Sequence, residues 1–225
     1  MYQVISQQDD FIIINKAPNV HFHSQDGSAG VVAQAELDLG IKLFAVHRLD
    51  TPTSGLLILA KNPEAANRFT QMFTAHQIQK YYLAIANGKP KKKQGWVIGD
   101  MAKARRSMYK LLRSKDNPAI TQFYSTSIGA GIRAYLLKPH SGKTHQLRVA
   151  LASIGVPILG DSLYGEAIDD RCYLHAYQLN FCYLGQEYQF TQAPHQGQQF
   201  LAPAMQTCLL NEWLLPAELD WPQKP

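Results

Sequence analysis

Residues 47–61, HRLDTPTSGLLILAK, constrain this chain more than any other stretch. An apolar run of strand length, Leu56-Leu57-Ile58-Leu59-Ala60, follows directly on Asp50-Thr51-Pro52-Thr53-Ser54-Gly55. Pro52 has no backbone donor and cannot sit inside a ladder, so the polar hexapeptide reads as a loop between two extended segments. Asp50 then falls at the end of a strand, on a loop held by apolar flanks. Loops on rigid scaffolds are enriched in function, but Asp is also a common turn residue. Local context leaves both readings of Asp50 open.

The same punctuation organises the rest of the chain. Extended runs at 11–14 and 43–49 are separated by Pro18, Asn19 and Gly27, with a short helix expected near 29–38. Asn62 as N-cap and Pro63 at the first helical position open a helix with Ala65, Phe69, Met72 and Phe73 on one face. A strand from Tyr81 to Ala86 leads through Gly88 into a basic stretch, and 119–128 with 132–137 reads as a hairpin around Gly129-Ala130-Gly131. Thr144 is the expected cap of a helix carrying Leu147, Ala150, Leu151 and Ile154, ended by Gly155. Late strands near 173–183 and 187–191 precede a final amphipathic helix with Met205, Leu209, Leu210 and Trp213. Without a repeat or a low-complexity linker, this is one α+β domain, 1–225, with a mixed, mainly antiparallel sheet flanked by helices.

At 46% hydrophobic and 17% charged residues the chain is not disordered. Its longest apolar runs are far short of a membrane span, and MYQVISQQDD lacks a basic segment followed by an apolar one. Cys172, Cys182 and Cys208 form no C-x-x-C pair, which fits small buried thiols in a reducing compartment. A cytoplasmic location is expected, and a monomer, because there is no heptad pattern.

Charge is unevenly spread. Between Lys89 and Lys115 stand ten basic residues, among them Lys91, Lys92, Lys93, Arg105 and Arg106, against the single acid Asp100. The whole chain carries only +5. Such a regional excess is the footprint expected for a polyanion, or else of a solvated loop. Ser141-Gly142-Lys143-Thr144 imitates the end of a phosphate-binding loop but has Leu137 where that motif needs glycine. His21-x-His23 has no companion ligands at metal-site spacing, so no metal is expected.

Taken together, the motifs resemble those of the RluA-type RNA pseudouridine synthases. HRLDTPTSGLLILAK is similar to their signature, in which H-R-L-D, two variable residues and T-S-G precede an apolar strand. DDFIIINK (9–16), KYYLAIANG (80–88), GKTHQLRVALASIGVPILGDSLYG (142–165) and LHAYQLNF (174–181) match further family segments in order. The resemblance implies the pseudouridine synthase fold, the compact kind without an S4 RNA-binding domain. Departures are Lys143 for the usual Arg, Ala150 for the usual His, and Lys16-Ala17-Pro18-Asn19 for the usual K-P-x-G.

The reaction so implied breaks the bond from ribose to the uracil nitrogen, turns the base and rejoins it through carbon 5, with no cofactor. Asp50 would be the nucleophile at the ribose or the base that starts glycal formation, and the sequence does not choose between them. A carboxylate in a pocket without water needs a fixed cation, which the resemblance assigns to Arg148. Tyr82 matches the family's active-site tyrosine, stacking on the uracil and relaying the carbon 5 proton, with Tyr81 as the competing choice. Only one of them can face the site, because strand residues alternate. Arg48 would fill the space left by the flipped base, Leu174 would pack beneath it, and His47, Lys143 and His145 complete the expected substrate contacts. Lys91, Lys92, Lys93, Arg105 and Arg106 would follow the backbone of a structured ribosomal or transfer RNA. Two rivals remain: a non-catalytic RNA-binding relative, and a glycoside hydrolase pairing Asp50 with Asp161.

Overall fold

The apolar runs at 11–14 and 56–60 lie in strands buried on both faces. The computed structural model describes residues 1–24, 29–129 and 131–224. Its first half comprises β1 (Tyr2–Gln7), β2 (Phe11–Lys16), α1 (Val31–Leu39), β3 (Phe44–Ala45), β4 (Ser54–Ala60), α2 (Pro63–Thr74) and β5 (Gln79–Asn87). There follow β6 (Gln94–Gly99), β7 (Met101–Lys103), β8 (Tyr109–Leu111), β9 (Ala119–Gly129), β10 (Ile132–Pro139) and α3 (Gln146–Ser153). The chain closes with β11 (Leu174–Tyr183), β12 (Gln186–Thr191), α4 (Gln198–Leu201) and α5 (Pro203–Asn211). It divides into two compact units, Met1–Lys80 with His175–Ala193 and Tyr81–Leu174 with Pro194–Pro225.

In the first unit β1, β2 and β4 pair antiparallel, β3 adds to β4, and β12 pairs antiparallel with β11. The register sets Phe11 opposite Ala60 and Ile13 opposite Ile58, so one face of β2 and β4 is continuous and apolar. α2 covers that face with Phe69 and Met72, and β11 contributes Phe181 and Tyr183. Phe69 stacks on Tyr183 at 4.8 Å and meets Phe11 edge-on at 5.2 Å. Each such side chain contributes about 1.5–3 kcal/mol on burial. α2 starts as its sequence dictates: Asn62 Oδ1 accepts from the Ala65 N–H at 2.8 Å, with Pro63 in the first turn. β4 and β11 run parallel and meet only at Ser54–His175 and Gly55–Ala176. There a glycine is obligatory, since Gly55 has φ 111° and a Cβ on it would lie 2.3 Å from the Ala176 carbonyl oxygen.

The second unit is built on the antiparallel order β5-β10-β9-β6. The basic stretch forms a separate ribbon, β7 against β8. Its turn places Arg106 at φ 54° and Ser107 at φ 60°, the geometry of a tight hairpin turn that normally selects Asn-Gly. Among the described residues no helix is long and apolar enough to cross a membrane.

Local expectations differ from the structure in three places. Thr144 does not cap α3: His145 holds that position in the left-handed region at φ 58°, and no side chain caps the helix. The Gln146 amide orders the preceding loop instead, accepting from Ser141 Oγ and the Lys143 N–H and donating to Ile120 O and Thr121 Oγ1. The last helix ends at Asn211, so Trp213 is buried from beyond it and Leu210, 66% exposed, is not core. The run at 43–49 yields only the two residues of β3, because His47 and its neighbours turn away to form the loop. Gly27 and Ala130 lie outside the described residues.

Candidate active site

Asp50 sits where the loop was expected, half-buried, between buried Leu49 and buried Thr53. Its carbonyl accepts from the Thr53 N–H at 3.0 Å, which closes the turn around Pro52. The next residue is clamped from beneath: completely buried Lys16 donates from Nζ to the carbonyls of Ala17, Val20 and Thr51 at 3.0, 2.9 and 3.1 Å. An ammonium without water must find such acceptors, so Lys16 ties the end of β2 to the Asp50 loop.

His47 holds the same loop from the other side. Its Nε2 accepts from the Ile58 N–H at 2.9 Å, and its ring lies 4.5 Å from that of Phe73. Accepting at Nε2 puts the proton of the neutral ring on Nδ1. Burial, helped by the Lys80 ammonium, lowers its pKa from 6.5 to about 3, so His47 is neutral in the folded protein near pH 7. Arg48 between them is exposed. One strand further on, buried Ser54 Oγ and His175 Nδ1 are 2.7 Å apart. His175 Nε2 lies 2.8 Å from the Gln192 carbonyl, which can only accept, so His175 donates there and in its neutral form accepts from Ser54.

In the second unit the two tyrosines face opposite ways. Tyr82 pairs with Leu137, and Leu137 with Phe123, so the three share one face of the sheet. Thr121, two residues before Phe123, is on that face and receives the Gln146 amide of α3. Tyr82 therefore shares its face with the helix that carries Arg148. Tyr81 points the other way, where its ring lies 5.9 Å from Trp221 and under the Lys138 ammonium. That face is closed by the C-terminal segment, whose Pro222 carbonyl accepts from Trp96 Nε1 and Gln122 Nε2. Burial pushes the Tyr81 phenol up to about 12.

Arg148 is 3% exposed and makes a two-pronged ion pair with buried Asp161, Nε to Oδ2 and Nη2 to Oδ1, both at 2.7 Å. Asp161 Oδ1 also accepts from the N–H groups of Leu163 and Tyr164 at 3.0 and 3.3 Å. The guanidinium lies 5.2 Å from the centre of the Tyr164 ring. Its plane is thus fixed by two bonds and a stacked ring. Nearby, the Tyr164 hydroxyl is 2.9 Å from His145 Nδ1. Lys143 Nζ donates to Asn117 Oδ1 at 2.8 Å. Leu174 is buried, its carbonyl accepting from Arg171 Nη2.

Of the basic residues, Lys91, Lys92 and Lys93 lie exposed between β5 and β6, while Arg105 and Arg106 form the exposed tip of the β7–β8 ribbon. The first unit thus holds His47, Arg48 and Asp50 on one clamped loop. The second gathers Lys143, His145 and Arg148 around the start of α3. Reading the sequence missed Lys16, the Ser54–His175 pair and Tyr164, and gave Asp161 no role beside Arg148. Lys16 had left a trace: a lysine closing a strand whose residues 11–14 are all apolar must find buried acceptors if the strand is core.

The model of the RNA pseudouridylate synthase family matches residues 10–153. An uncharacterized RNA pseudouridine synthase of Haemophilus influenzae is 50% identical over 206 residues, covering 90% of this chain and 92% of the relative. A ribosomal large subunit pseudouridine synthase C of Rickettsia bellii is 33% identical, covering 72% of this chain and 56% of that protein. The solved structure of human RNA pseudouridylate synthase domain containing 1 has the same fold, with a TM-score of 0.75 at 23% identity over 92% of this chain and 87% of that one. By these matches and its own RluA-type motifs, the chain belongs to the RNA pseudouridylate synthase family.

Proposed function

We propose that this isomerase converts specific uridines of structured ribosomal or transfer RNA to pseudouridine, with Asp50 as its reactive carboxylate. The observation that carries the assignment is the clamp on the Asp50 loop. Buried Lys16 fastens the Thr51 carbonyl and His47 fastens the strand that follows, so the carboxylate is presented on a rigid support. An ordinary surface turn needs no buried ammonium beneath it.

The bond from ribose C1′ to N1 breaks, C1′ joins C5, the C5 proton leaves and N1 gains one, so uridine is only rearranged. Asp50 either takes up C1′ while the base is free or removes the ribose proton that gives a glycal. Tyr82, on the α3 face of its sheet, stacks on the loosened uracil and relays the C5 proton, its hydroxyl giving one proton up as it takes the other. Arg148 supplies a fixed positive charge that its fork with Asp161 cannot let swing. Arg48 takes the place of the flipped base and Leu174 gives it an apolar seat. Lys143, His145 and His47 are further substrate contacts, His47 through its Nδ1 proton. Lys91, Lys92, Lys93, Arg105 and Arg106 neutralise phosphates around the target. The enzyme acts in the cytoplasm as a monomer, both units serving one catalytic domain without metal or cofactor.

Because C5 loses its hydrogen, RNA labelled with tritium at uridine C5 releases the label into water as product forms. RNA from a strain lacking this gene is the substrate. The wild-type protein should release tritium and Asp50→Asn should not, while still binding the RNA. Release by Asp50→Asn at the wild-type rate would remove Asp50 from the chemistry, and binding without release by either protein would favour a non-catalytic RNA-binding role.

A further inference from the structure

The β7–β8 ribbon and helix α3 are joined by one phenol. The Tyr109 backbone N–H, on β8, donates to the Tyr164 hydroxyl oxygen at 2.8 Å. That oxygen lies 2.9 Å from His145 Nδ1. An amide can only donate, so the phenol accepts from Tyr109, and its own proton can go to His145 Nδ1. In that arrangement a neutral His145 accepts at Nδ1 and carries its proton on Nε2. Aromatic contacts seat the same three residues, with Tyr109 and Tyr164 edge-on to the His145 ring at 5.5 and 5.7 Å. Tyr164 also lies under the Arg148 guanidinium, and its backbone N–H donates to Asp161, the partner of Arg148. A single side chain therefore touches the ribbon that carries Arg105 and Arg106, the residue heading α3, and the fixed cation.

We propose that Tyr164 is a positioning residue that couples the seating of RNA on the β7–β8 ribbon to the orientation of His145 and Arg148. This rests on the proposed reading of the basic ribbon as an RNA contact and of α3 as part of the catalytic machinery. The physical reason is directional. The chain Tyr109 N–H to Tyr164 O–H to His145 Nδ1 is complete only when the ribbon stands at one height over α3, and a shift of the ribbon breaks the first bond and loosens the second. His145 heads α3 in the left-handed region at φ 58°, and its ring is seated by Tyr109 and Tyr164. The ring of Tyr164 serves Arg148 and its hydroxyl serves His145, which makes the two functions separable by substitution.

Tyr164→Phe keeps the ring and removes the hydroxyl. Two measurements on the full chain test the proposal. In the RNA-free protein, the imidazole nitrogens of His145 are observed by NMR after labelling histidine with 15N, and Tyr109 amide exchange is followed beside them. The wild type should show a bare Nδ1 and a protonated Nε2, whereas Tyr164→Phe should show mixed tautomers and exchange at Tyr109 about tenfold faster or more. A protonated Nδ1 in the neutral wild-type ring, or spectra and exchange unchanged in the variant, would overturn the proposal. In the tritium-release assay, Tyr164→Phe should lower kcat about tenfold with KM changed less than about threefold, the size of one neutral hydrogen bond made in the transition state. His145→Gln with Tyr164→Phe should be no slower than His145→Gln alone, because the second change acts through the first. Additive losses would show that Tyr164 merely supports the fold, and an unchanged kcat would overturn the coupling. If the wild type releases no tritium, the catalytic reading fails, and the NMR arm still decides whether the hydrogen-bonded chain exists.

Discussion

The ion pair of Arg148 and Asp161 offers a prediction whose sign is as informative as its size. Both side chains are out of water, at 3% and 1% exposure. Asp161→Ala removes the carboxylate that the guanidinium fork grips and leaves the N–H groups of Leu163 and Tyr164 without their acceptor. Breaking a buried pair from one side costs about 3–5 kcal/mol, because the remaining charge stays desolvated. Set against about 5–15 kcal/mol for a domain, that leaves a marginal protein. Arg148→Met should cost less, about 3 kcal/mol, since the carboxylate retains two amide donors. The double variant should then be more stable than Asp161→Ala alone, because the buried guanidinium that lost its carboxylate is gone. The three variants are compared with the wild type by urea unfolding at pH 7, with the dependence on urea required to stay constant. A cost below about 1 kcal/mol for Asp161→Ala, or a double variant whose loss is the sum of the singles, would refute the view that the pair is buried and coupled. The pair also governs how turnover is read: a loss of activity in an Arg148 variant bears on catalysis only after correction for the folded fraction.

Three further outcomes follow from the same geometry. His47 is neutral when folded, with a pKa near 3, and returns to about 6.5 when unfolded. The unfolded chain therefore binds the extra proton first, and the stability due to the neutral ring is lost as pH falls from about 6.5 towards 3. His47→Phe should flatten the dependence of unfolding free energy on pH in that window, and an unchanged slope would refute the assignment. Lys16→Met leaves the Thr51, Val20 and Ala17 carbonyls without their donor. It should cost about 2 kcal/mol and slow turnover by more than the fall in folded fraction, as checked by tritium release beside a melting curve. Replacing Arg105 and Arg106 together by Ala should reduce the slope of log affinity against log salt by about 1.4–1.8, with target choice unchanged, as filter binding across a salt series would report.

The strands were legible where burial on both faces left unbroken apolar runs, as in β2 and β4, and α2 was legible because Asn62 and Pro63 satisfy its first turn locally. β1 was not, since its YQVISQ sequence is mostly half-buried and lacks a clear apolar period. The β7–β8 ribbon was hidden for a different reason: three-residue strands and a turn of Arg106 and Ser107 at positive φ carry none of the usual hairpin chemistry. In the site, the motif positions were readable but their partners were not. The choice between Tyr81 and Tyr82 depends on the register of β5 against β10 and on the helix resting on one face, both long-range facts. Likewise Asp161 becomes the partner of Arg148 only because the chain after α3 folds back beside it. Spacing along a sequence records neither.

The central claim, that Asp50 makes pseudouridine in a defined RNA, is tested most directly by mapping pseudouridine in total RNA of the source cells with the gene present, deleted, and restored as wild type or as Asp50→Ala. One or a few sites should vanish on deletion and return with the wild type alone. Sites that return equally with Asp50→Ala, or a map that deletion leaves unchanged, would contradict it.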